Sequence, residues 1–210
     1  SSSCSVCYTV GKDGTVMTKL TCDPAKELPD MPEFGMMFKM NADYDHMTWY
    51  GLGPDETYSD RTQGAKLGIY HSLVSDNMAK YLVPQECGNK AGVRYGMVTD
   101  KLGRGMVFAG NGFNFSALPY SPHEIENAQH PFDLPEVHYT YVRCSLAQMG
   151  VGGDDSWGAR THKEFLLPRG KKLDFEFSFK GLYVAVTADG VFAFAFCTVK
   201  CFVGTFKKFG

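Results

Sequence analysis

The sequence has no marked excess of charge of either sign. It contains 21 Lys and Arg residues against 23 Asp and Glu residues, which gives a formal net charge of −2 and a pI near 6.3. A surface that binds nucleic acid normally needs a clear excess of basic side chains, so this balance argues against a nucleic-acid partner. We expect the partner to be a neutral molecule or another protein.

Long apolar runs are also missing. No run approaches the roughly 20 residues that cross a bilayer. Residues 1–4, Ser-Ser-Ser-Cys, lack the basic start and the apolar stretch of a signal peptide. These absences predict a cytoplasmic protein that makes no contact with a membrane.

The seven cysteines are an odd number spread over the whole length, so a disulfide framework cannot pair them all. We interpret them as reduced thiols. Cys4, Cys7, Cys197 and Cys201 could together supply four thiolates to a zinc ion. Residues 4–10 alternate like a strand, however, and positions three apart in a strand point to opposite faces. We therefore expect no metal site.

Helical periodicity is scarce, whereas a period of two recurs along the chain and indicates half-buried strands. Twenty-three glycines and ten prolines separate these short runs, which favours one all-β domain, a sandwich with long loops. The sequence Gly-Lys-Asp-Gly at residues 11–14 predicts a hairpin turn between the first two strands. The predicted strands span residues 6–10, 15–21, 34–40, 47–50, 94–99, 105–111, 113–117, 138–149, 163–167 and 173–180.

One short helix is predicted near residues 121–129. Ser121 can cap its start, Pro122 suits the first helical position, and Glu124 completes a capping box. His123, Glu124 and His130 could alternatively form an acid–base or metal site. The capping role already accounts for Glu124, so we favour the structural interpretation.

Residues 181–210 differ from the rest of the chain. Residues 182–187 and 191–196 flank Ala188-Asp189-Gly190, which predicts a further hairpin. The remainder has few charges, and an apolar tail that favours β-structure needs a partner that covers it. We therefore divide the chain into a domain at 1–180 and an atypical apolar tail at 181–210.

The catalytic motifs of common hydrolases are absent. The sequence has no Gly-x-Ser-x-Gly elbow, no His-Glu-x-x-His helix and no phosphate-binding loop. A retaining glycoside hydrolase needs two carboxyl groups about 5 Å apart, and an inverting one needs a wider separation. No sequence argument brings two acids into that register. The candidate acids are Asp55, Glu56, Asp60, Glu86, Asp154 and Asp155.

Three loops concentrate glycine, aromatic and charged residues: residues 149–158, 49–61 and 84–94. In the first, four glycines and two carboxylates accompany a tryptophan, a combination that suits a surface in contact with a sugar. The alternative is a strand connection whose Asp side chains cap their own backbone. For Arg61 and Arg94 we favour ion pairs within the loops, with substrate contacts as the alternative.

The three loops, in chain order, closely resemble the C-terminal domain of large bacterial β-galactosidases of glycoside hydrolase family two. The matching runs are Trp-Tyr-Gly-Leu-Gly-Pro-x-Glu-x-Tyr-x-Asp-Arg at 49–61, Pro-Gln-Glu-x-Gly at 84–88, Arg94, and Met-Gly-Val-Gly-Gly-Asp-Asp-Ser-Trp at 149–157. The resemblance covers about residues 4–180. It implies a twisted antiparallel β-supersandwich like that of galactose mutarotase, here incomplete because the family's domain begins further upstream.

The resemblance implies a supporting role in catalysis. In the family the catalytic glutamates lie in a (β/α)₈ barrel, which this chain lacks. The chain is thus expected to belong to a β-galactosidase, which hydrolyses terminal β-D-galactosides such as lactose, but to be inactive alone and to need no cofactor. The family's motif tryptophan forms an apolar platform for the aglycone, and by position it is Trp157. The implied partners are a barrel-bearing catalytic domain or large subunit and the galactoside substrate.

The other motif residues are expected to act as a scaffold that holds their loops in shape. For the acidic run before Trp157 we expect hydrogen bonds to backbone amides. The predicted scaffold residues are Gly152, Gly153, Asp154, Asp155, Ser156, Trp49, Glu56, Tyr58, Arg61, Glu86 and Arg94.

Two other functions stay open at this point. One is a free-standing carbohydrate-binding module with a self-contained sugar groove. The other is a mutarotase-like enzyme, for which the only suitable acid–base groups are His71, His123, His138 and Glu86. An incomplete supersandwich would also expose a sheet face, which predicts a homo- or hetero-oligomer or a longer parent chain.

Overall fold

A computed structural model describes residues 2–155, 157–186 and 192–196 of the chain. These residues form ten β-strands and one short α-helix. All strand pairings among them are antiparallel, which confirms the all-β prediction. The elements are β1 (Ser3–Val10), β2 (Val16–Asp23), β3 (Glu33–Asn41), β4 (His46–Gly53), β5 (Lys66–Leu73), β6 (Lys90–Thr99), β7 (Gly105–Leu118), α1 (Pro122–Asn127), β8 (Tyr139–Gln148), β9 (Leu173–Val186) and β10 (Phe192–Phe196).

The strands form one open sheet that folds over itself. Its main path runs β1-β2-β9-β7-β6-β4-β5, and β3 joins this path through β8. The long strand β7 pairs with β9 through residues 105–110 and with β8 through residues 114–118. Gly112 lies between these two stretches at φ +73°, a left-handed conformation that favours glycine. Strand β7 therefore contributes to two layers, one that contains β9 and one that contains β8 and β3.

Aromatic side chains fill the space between the two layers. The ring of Phe38 on β3 lies 5.0 Å from that of Phe108 on β7 and 5.2 Å from that of Phe179 on β9, measured between centroids. Burying a side chain of this size stabilises the fold by roughly 1.5–3 kcal/mol. The buried residues of this core are Leu20, Met47, Trp49, Val74, Val93, Val98, Phe108, Phe113, Phe115, Ala117, Val142, Cys144, Phe175 and Phe177.

The two strongest local signals form the predicted structures. The turn after β1 is closed by a hydrogen bond of 2.7 Å from Gly11 N to Thr15 O. Helix α1 begins after Ser121, whose hydroxyl accepts from Glu124 N, while the Glu124 carboxylate accepts from Ser121 N. Both structures follow from contacts within five residues, so the sequence alone is sufficient to predict them.

The predicted strand pattern needs correction at three places. Residues 163–167 were predicted as a strand, but Lys163–Phe165 is a 3₁₀-helix, because Phe165 N bonds back to His162 O. The separate strands predicted at 105–111 and 113–117 are parts of β7. Strand β5 was not predicted, although Leu67, Ile69 and Leu73 alternate along it; in the structure these three residues lie on its exposed face.

Strand β9 continues through residue 186, so the predicted division at residues 180 and 181 falls inside a strand. Strand β10 pairs antiparallel with the end of β9, from Phe192 opposite Val186 to Phe196 opposite Leu182. The predicted turn at residues 188–190, and the tail from residue 197 onward, lie outside the described residues. The division into two parts stays a prediction.

Two of the four cysteines considered as zinc ligands, Cys4 and Cys7, lie in the described part of the chain. Cys4 and Cys7 both lie on β1, and Cys4 faces Cys22 of β2, with 3.1 Å between the two sulfur atoms. Cys197 and Cys201 lie outside the described residues. Among the residues described, no cluster of three His, Cys, Asp or Glu side chains could hold a metal ion. No helix of that part has the length and apolar content needed to span a bilayer.

Candidate functional site

The loops at 49–61 and 84–88 are joined by the carboxylate of Glu56. One oxygen accepts from Gly88 N at 2.8 Å, and the other accepts from the Tyr81 hydroxyl at 2.7 Å and from Arg61 Nη1 at 3.1 Å. Because a single carboxylate accepts from both loops, their relative position is determined. Glu56 and Arg61 both take part in this contact between the loops, and their role as scaffold residues stays a prediction.

Glu86 connects the same loops to strand β8 through Arg143. The guanidinium of Arg143 donates twice to Glu86, at 2.6 and 3.0 Å, and once to Glu33 at 3.1 Å. Tyr58 Oη donates to Glu86 as well, at 3.1 Å. Arg143 is only 5 % exposed, so these charges interact in a poorly solvated environment.

The pKa values of this cluster follow from its burial and its charges. Burial lowers the pKa of Arg143, but the hydrogen bonds that Arg143 donates to Glu86, together with the charges of Glu86 and Glu33, outweigh this effect and raise the pKa. Burial, and then the charges of Glu86 and Glu56, raise the pKa of Tyr58 well above its ordinary value. The guanidinium therefore stays charged and the phenol stays neutral, which suits a structural pair.

Asp60 joins the loop at 49–61 to the loop at 149–158. Its two carboxylate oxygens accept from Val151 N at 3.1 Å and from Gly152 N at 2.7 Å. A side chain at Gly150 would collide with this carboxylate, so glycine is needed for the close approach. In the sequence Asp60 is a candidate catalytic acid and a member of the motif at 49–61, and the structure places it at the junction of two motifs.

Trp157 lies on this same loop and is 92 % exposed. Asp155 Oδ1 accepts from Trp157 N at 2.9 Å and from Ala159 N at 3.1 Å, so it caps its own loop. Those backbone hydrogen bonds lower the pKa of Asp155. Asp154 contacts the imidazole of His162 instead of a backbone amide. Ser156 lies outside the described residues.

Trp49 is buried in the core, 2 % exposed, and contacts the Gly-Leu-Gly-Pro bend at residues 51–54. Its Nε1 donates to Leu52 O at 3.0 Å. Lys90, 4 % exposed, lies 4.7 Å above the Trp49 ring and donates to Pro54 O at 3.1 Å. Burial lowers the pKa of Lys90 to about 8. Sequence reasoning missed Lys90, since nothing in the pattern marks it as buried.

Arg94 does not join this junction. Its guanidinium lies over the ring of Tyr50, 5.1 Å from the centroid, on the neighbouring strand of the sheet. The expected ion pair within the loop is therefore replaced by a cation–π contact. Arg61, in contrast, does pair with a carboxylate of its own loop.

A cavity of about 650 Å³ lies beside the junction, within the usual range for small-molecule sites. All three loops contribute to its walls, and so do helix α1 and strand β8. Trp157 is not part of the lining. The charged groups in its walls are Glu33, Glu56, Arg61, Glu86, Glu126 and Arg143.

The acid–base groups considered for a mutarotase-like activity are dispersed. Glu86 lines the cavity, whereas none of the three histidines does so in the described part of the chain. His71 is bonded to Thr48 Oγ1 on the open sheet, and His138 lies 3.9 Å from Glu136. The positioned acid and base that ring opening requires are therefore not brought together by these residues.

Comparison with known proteins shows the family of the chain. Residues 1–180 match the sequence profile of the β-galactosidase small chain. The chain belongs to that family. The matched residues include all three motif loops and end inside β9.

Several β-galactosidases are similar to this member of the small-chain family. It is 44 % identical over 181 residues to the β-galactosidase of Priestia megaterium, covering 86 % of this chain and 18 % of that protein. The β-galactosidase of Halalkalibacterium halodurans is 42 % identical over 175 residues, which is 81 % of this chain and 17 % of the relative. That of Streptococcus thermophilus is 40 % identical over 179 residues. The chain thus spans less than a fifth of the length of these relatives.

Proposed function

We propose that this chain is the non-catalytic C-terminal part of a β-galactosidase and that it completes the active site through Trp157. The reaction is the hydrolysis of terminal β-D-galactosides such as lactose. A barrel-bearing catalytic domain or large subunit supplies the acid–base and nucleophile carboxylates. The chain alone is inactive and contributes no metal or cofactor.

The single observation that carries the proposal is the exposure of Trp157 on an anchored loop. Tryptophan is usually largely buried, because its ring offers a large apolar surface. Here 92 % of it is exposed, while Asp60 and Asp155 hold the backbone on either side of it. A fixed loop that exposes an aromatic ring is suited to a partner that covers the ring.

A sugar bound between two domains matches this ring chemically. The C–H face of a pyranose gains from burial against an aromatic face, and its hydroxyl groups need polar partners at the rim. The aglycone, such as the glucose of lactose, would lie on Trp157. The indole needs only to be presented, since the bond-breaking groups belong to the barrel.

The carboxylates of the junction support the non-catalytic assignment. Glu56 and Glu86 are engaged with arginine, and Asp60 is engaged with backbone amides. We therefore assign these acids to the scaffold that positions the three loops.

Co-expression with a barrel-containing β-galactosidase fragment tests the proposal. The chain should restore lactose hydrolysis, and Trp157→Ala should raise KM for lactose by roughly tenfold or more, because one apolar contact in a subsite is worth on the order of 1–3 kcal/mol. Trp157→Phe should raise KM much less, because phenylalanine keeps an aromatic face for the sugar. Phe132→Ala is the matched control, since Phe132 is also exposed, at 81 %, but lies near α1. Unchanged kinetics in Trp157→Ala would show that the platform role is wrong.

A self-contained sugar-binding module is the second candidate, and the cavity beside the junction favours it. The cavity is large enough for a monosaccharide and offers carboxylates and arginines as hydrogen-bonding groups. Calorimetric titration of the chain with galactose and with lactose separates the two proposals. If the chain alone releases or absorbs heat on saturable sugar binding, and if Arg61→Met abolishes that heat, the result favours the sugar-binding module.

A further inference from the structure

We propose that the contact between His162 and Asp154 closes the loop that presents Trp157, which makes His162 a positioning residue for the aglycone platform. The inference rests on the proposed function of Trp157. The contact itself joins His162 Nε2 to Asp154 Oδ2 at 2.5 Å across eight residues of chain. Trp157 lies between the two partners in the sequence.

The loop needs such a closure because its backbone is permissive. Gly152, Gly153 and Gly158 all adopt positive φ angles, of 63°, 93° and 89°. Glycine loses more conformational entropy than other residues when it is ordered. A loop with glycines on both sides of Trp157 therefore holds the indole in place only if side chains join its two arms.

His162 stands on the anchored side of the loop. The 3₁₀-helix Lys163–Phe165 follows it directly, and Phe165 O accepts from Gly150 N at 2.9 Å. Thr161 Oγ1 donates to Gly150 O at 2.8 Å, which ties the second arm to the first near Asp60. The imidazole thus has a fixed base from which to hold Asp154.

The charges around the imidazole make the closure pH-dependent. Three carboxylates face it: Asp154 in direct contact, Glu164 with Oε1 3.9 Å from Nδ1, and Asp60 at longer range. The hydrogen bond and charge of Asp154, with Glu164 next, raise the pKa of His162 above its ordinary value near 6.5. The contribution of the ion pair is complete below that ordinary pKa and is lost as the pH rises through the raised one.

Tryptophan NMR of the 210-residue chain tests the closure directly. The chain has two indole N–H signals, from Trp49 and Trp157, and Trp157→Phe assigns them. The order parameter of the Trp157 indole should fall between pH 5.5 and pH 9. The ratio of closed to open loop should drop by roughly two- to fivefold, as expected for an exposed ion pair. The buried Trp49 serves as the internal reference.

His162→Gln should remove this pH dependence and leave the Trp157 indole as mobile at pH 5.5 as it is in the wild type at pH 9. Asp154→Asn should loosen the loop in the same way and move the pKa of His162, followed by its ring-proton shifts, back toward 6.5. His130→Gln is the matched control, because His130 contacts Asp133, at 3.3 Å, on a different loop. The closure is wrong if His162→Gln retains the wild-type pH dependence or if His130→Gln abolishes it.

The closure and the platform fail in different measurements. If Trp157→Ala leaves lactose hydrolysis unchanged in the co-expressed enzyme, the platform is wrong, although the NMR experiment still reports on the loop. If Trp157→Ala raises KM but His162→Gln leaves indole order unchanged, the platform stands and the closure is wrong. If both hold, His162→Gln should raise KM at pH 5.5 and leave kcat nearly unchanged.

Discussion

The junction of the three motif loops and the loop that carries Trp157 are stabilised in opposite ways. At the junction, buried or half-buried charges such as Arg143 and Glu56 satisfy several partners each, across long sequence separations. In the Trp157 loop, exposed carboxylates bond to groups two to eight residues away. The comparison teaches that one motif can combine two parts. Its base is the junction of the three loops, and its arm is the loop around Trp157, whose order depends on contacts within a few residues.

The largest expected effect is at Arg143. Replacing it with Met leaves Glu86 and Glu33 without their buried cation, and breaking a buried ion pair in this way costs about 3–5 kcal/mol. We expect the free energy of unfolding, measured by urea titration, to fall by that amount. Arg94→Met is the matched control, because Arg94 is exposed, and it should change stability by less than about 0.5 kcal/mol. Equal losses in the two variants would remove the distinction between junction and surface.

An intermediate effect is expected at Asp60, where the base meets the arm. Asp60→Ala leaves Val151 N and Gly152 N without their acceptor, which costs about 1–3 kcal/mol. Asp60→Asn keeps one carbonyl oxygen and should lose less. Urea titration measures both, and indole order measures the arm. If Asp60→Ala is as stable as the wild type, the carboxylate does not anchor the loop.

The smallest effect on stability is expected for Trp157→Ala. Because the ring is almost fully exposed, its removal should change the free energy of unfolding by less than about 0.5 kcal/mol, although KM rises in the assembled enzyme. Thermal unfolding of the isolated chain provides the measurement. A loss above about 1 kcal/mol would mean that the indole packs against its own chain, and the contrast between base and arm would then be weaker.

Local signals account for what could be predicted of the fold. The turn at Gly11–Gly14 and the capping box of Ser121 depend on a few adjacent residues, and the structure contains both. Strand β5 was missed although Leu67 and Ile69 alternate along it, and only the structure shows that its apolar residues face outward. Two strands are predicted where the structure has the single strand β7, because the bend at Gly112 resembles a turn in the sequence.

The site was predictable in composition but not in connectivity. Resemblance indicated Trp157, Glu56, Arg61 and Glu86, and the structure places the last three in one hydrogen-bonded junction. Arg143 and Lys90 were missed, since an isolated basic residue in a strand normally points to solvent. His162 was missed because the sequence does not show that the loop folds back and brings its imidazole to Asp154.

By itself the sequence determined the all-β class, the hairpin and the helix cap, and the family to which the chain belongs. These rest on hydrophobic period, turn chemistry and rare ordered runs, all of which are local along the chain. Only the tertiary structure decided that Asp60 joins two motifs, that Arg143 lies beneath Glu86, and that Trp157 is exposed while Trp49 is buried. The reason is physical: burial and ion pairing depend on which distant segments the sheet brings together, and no local pattern encodes those distances.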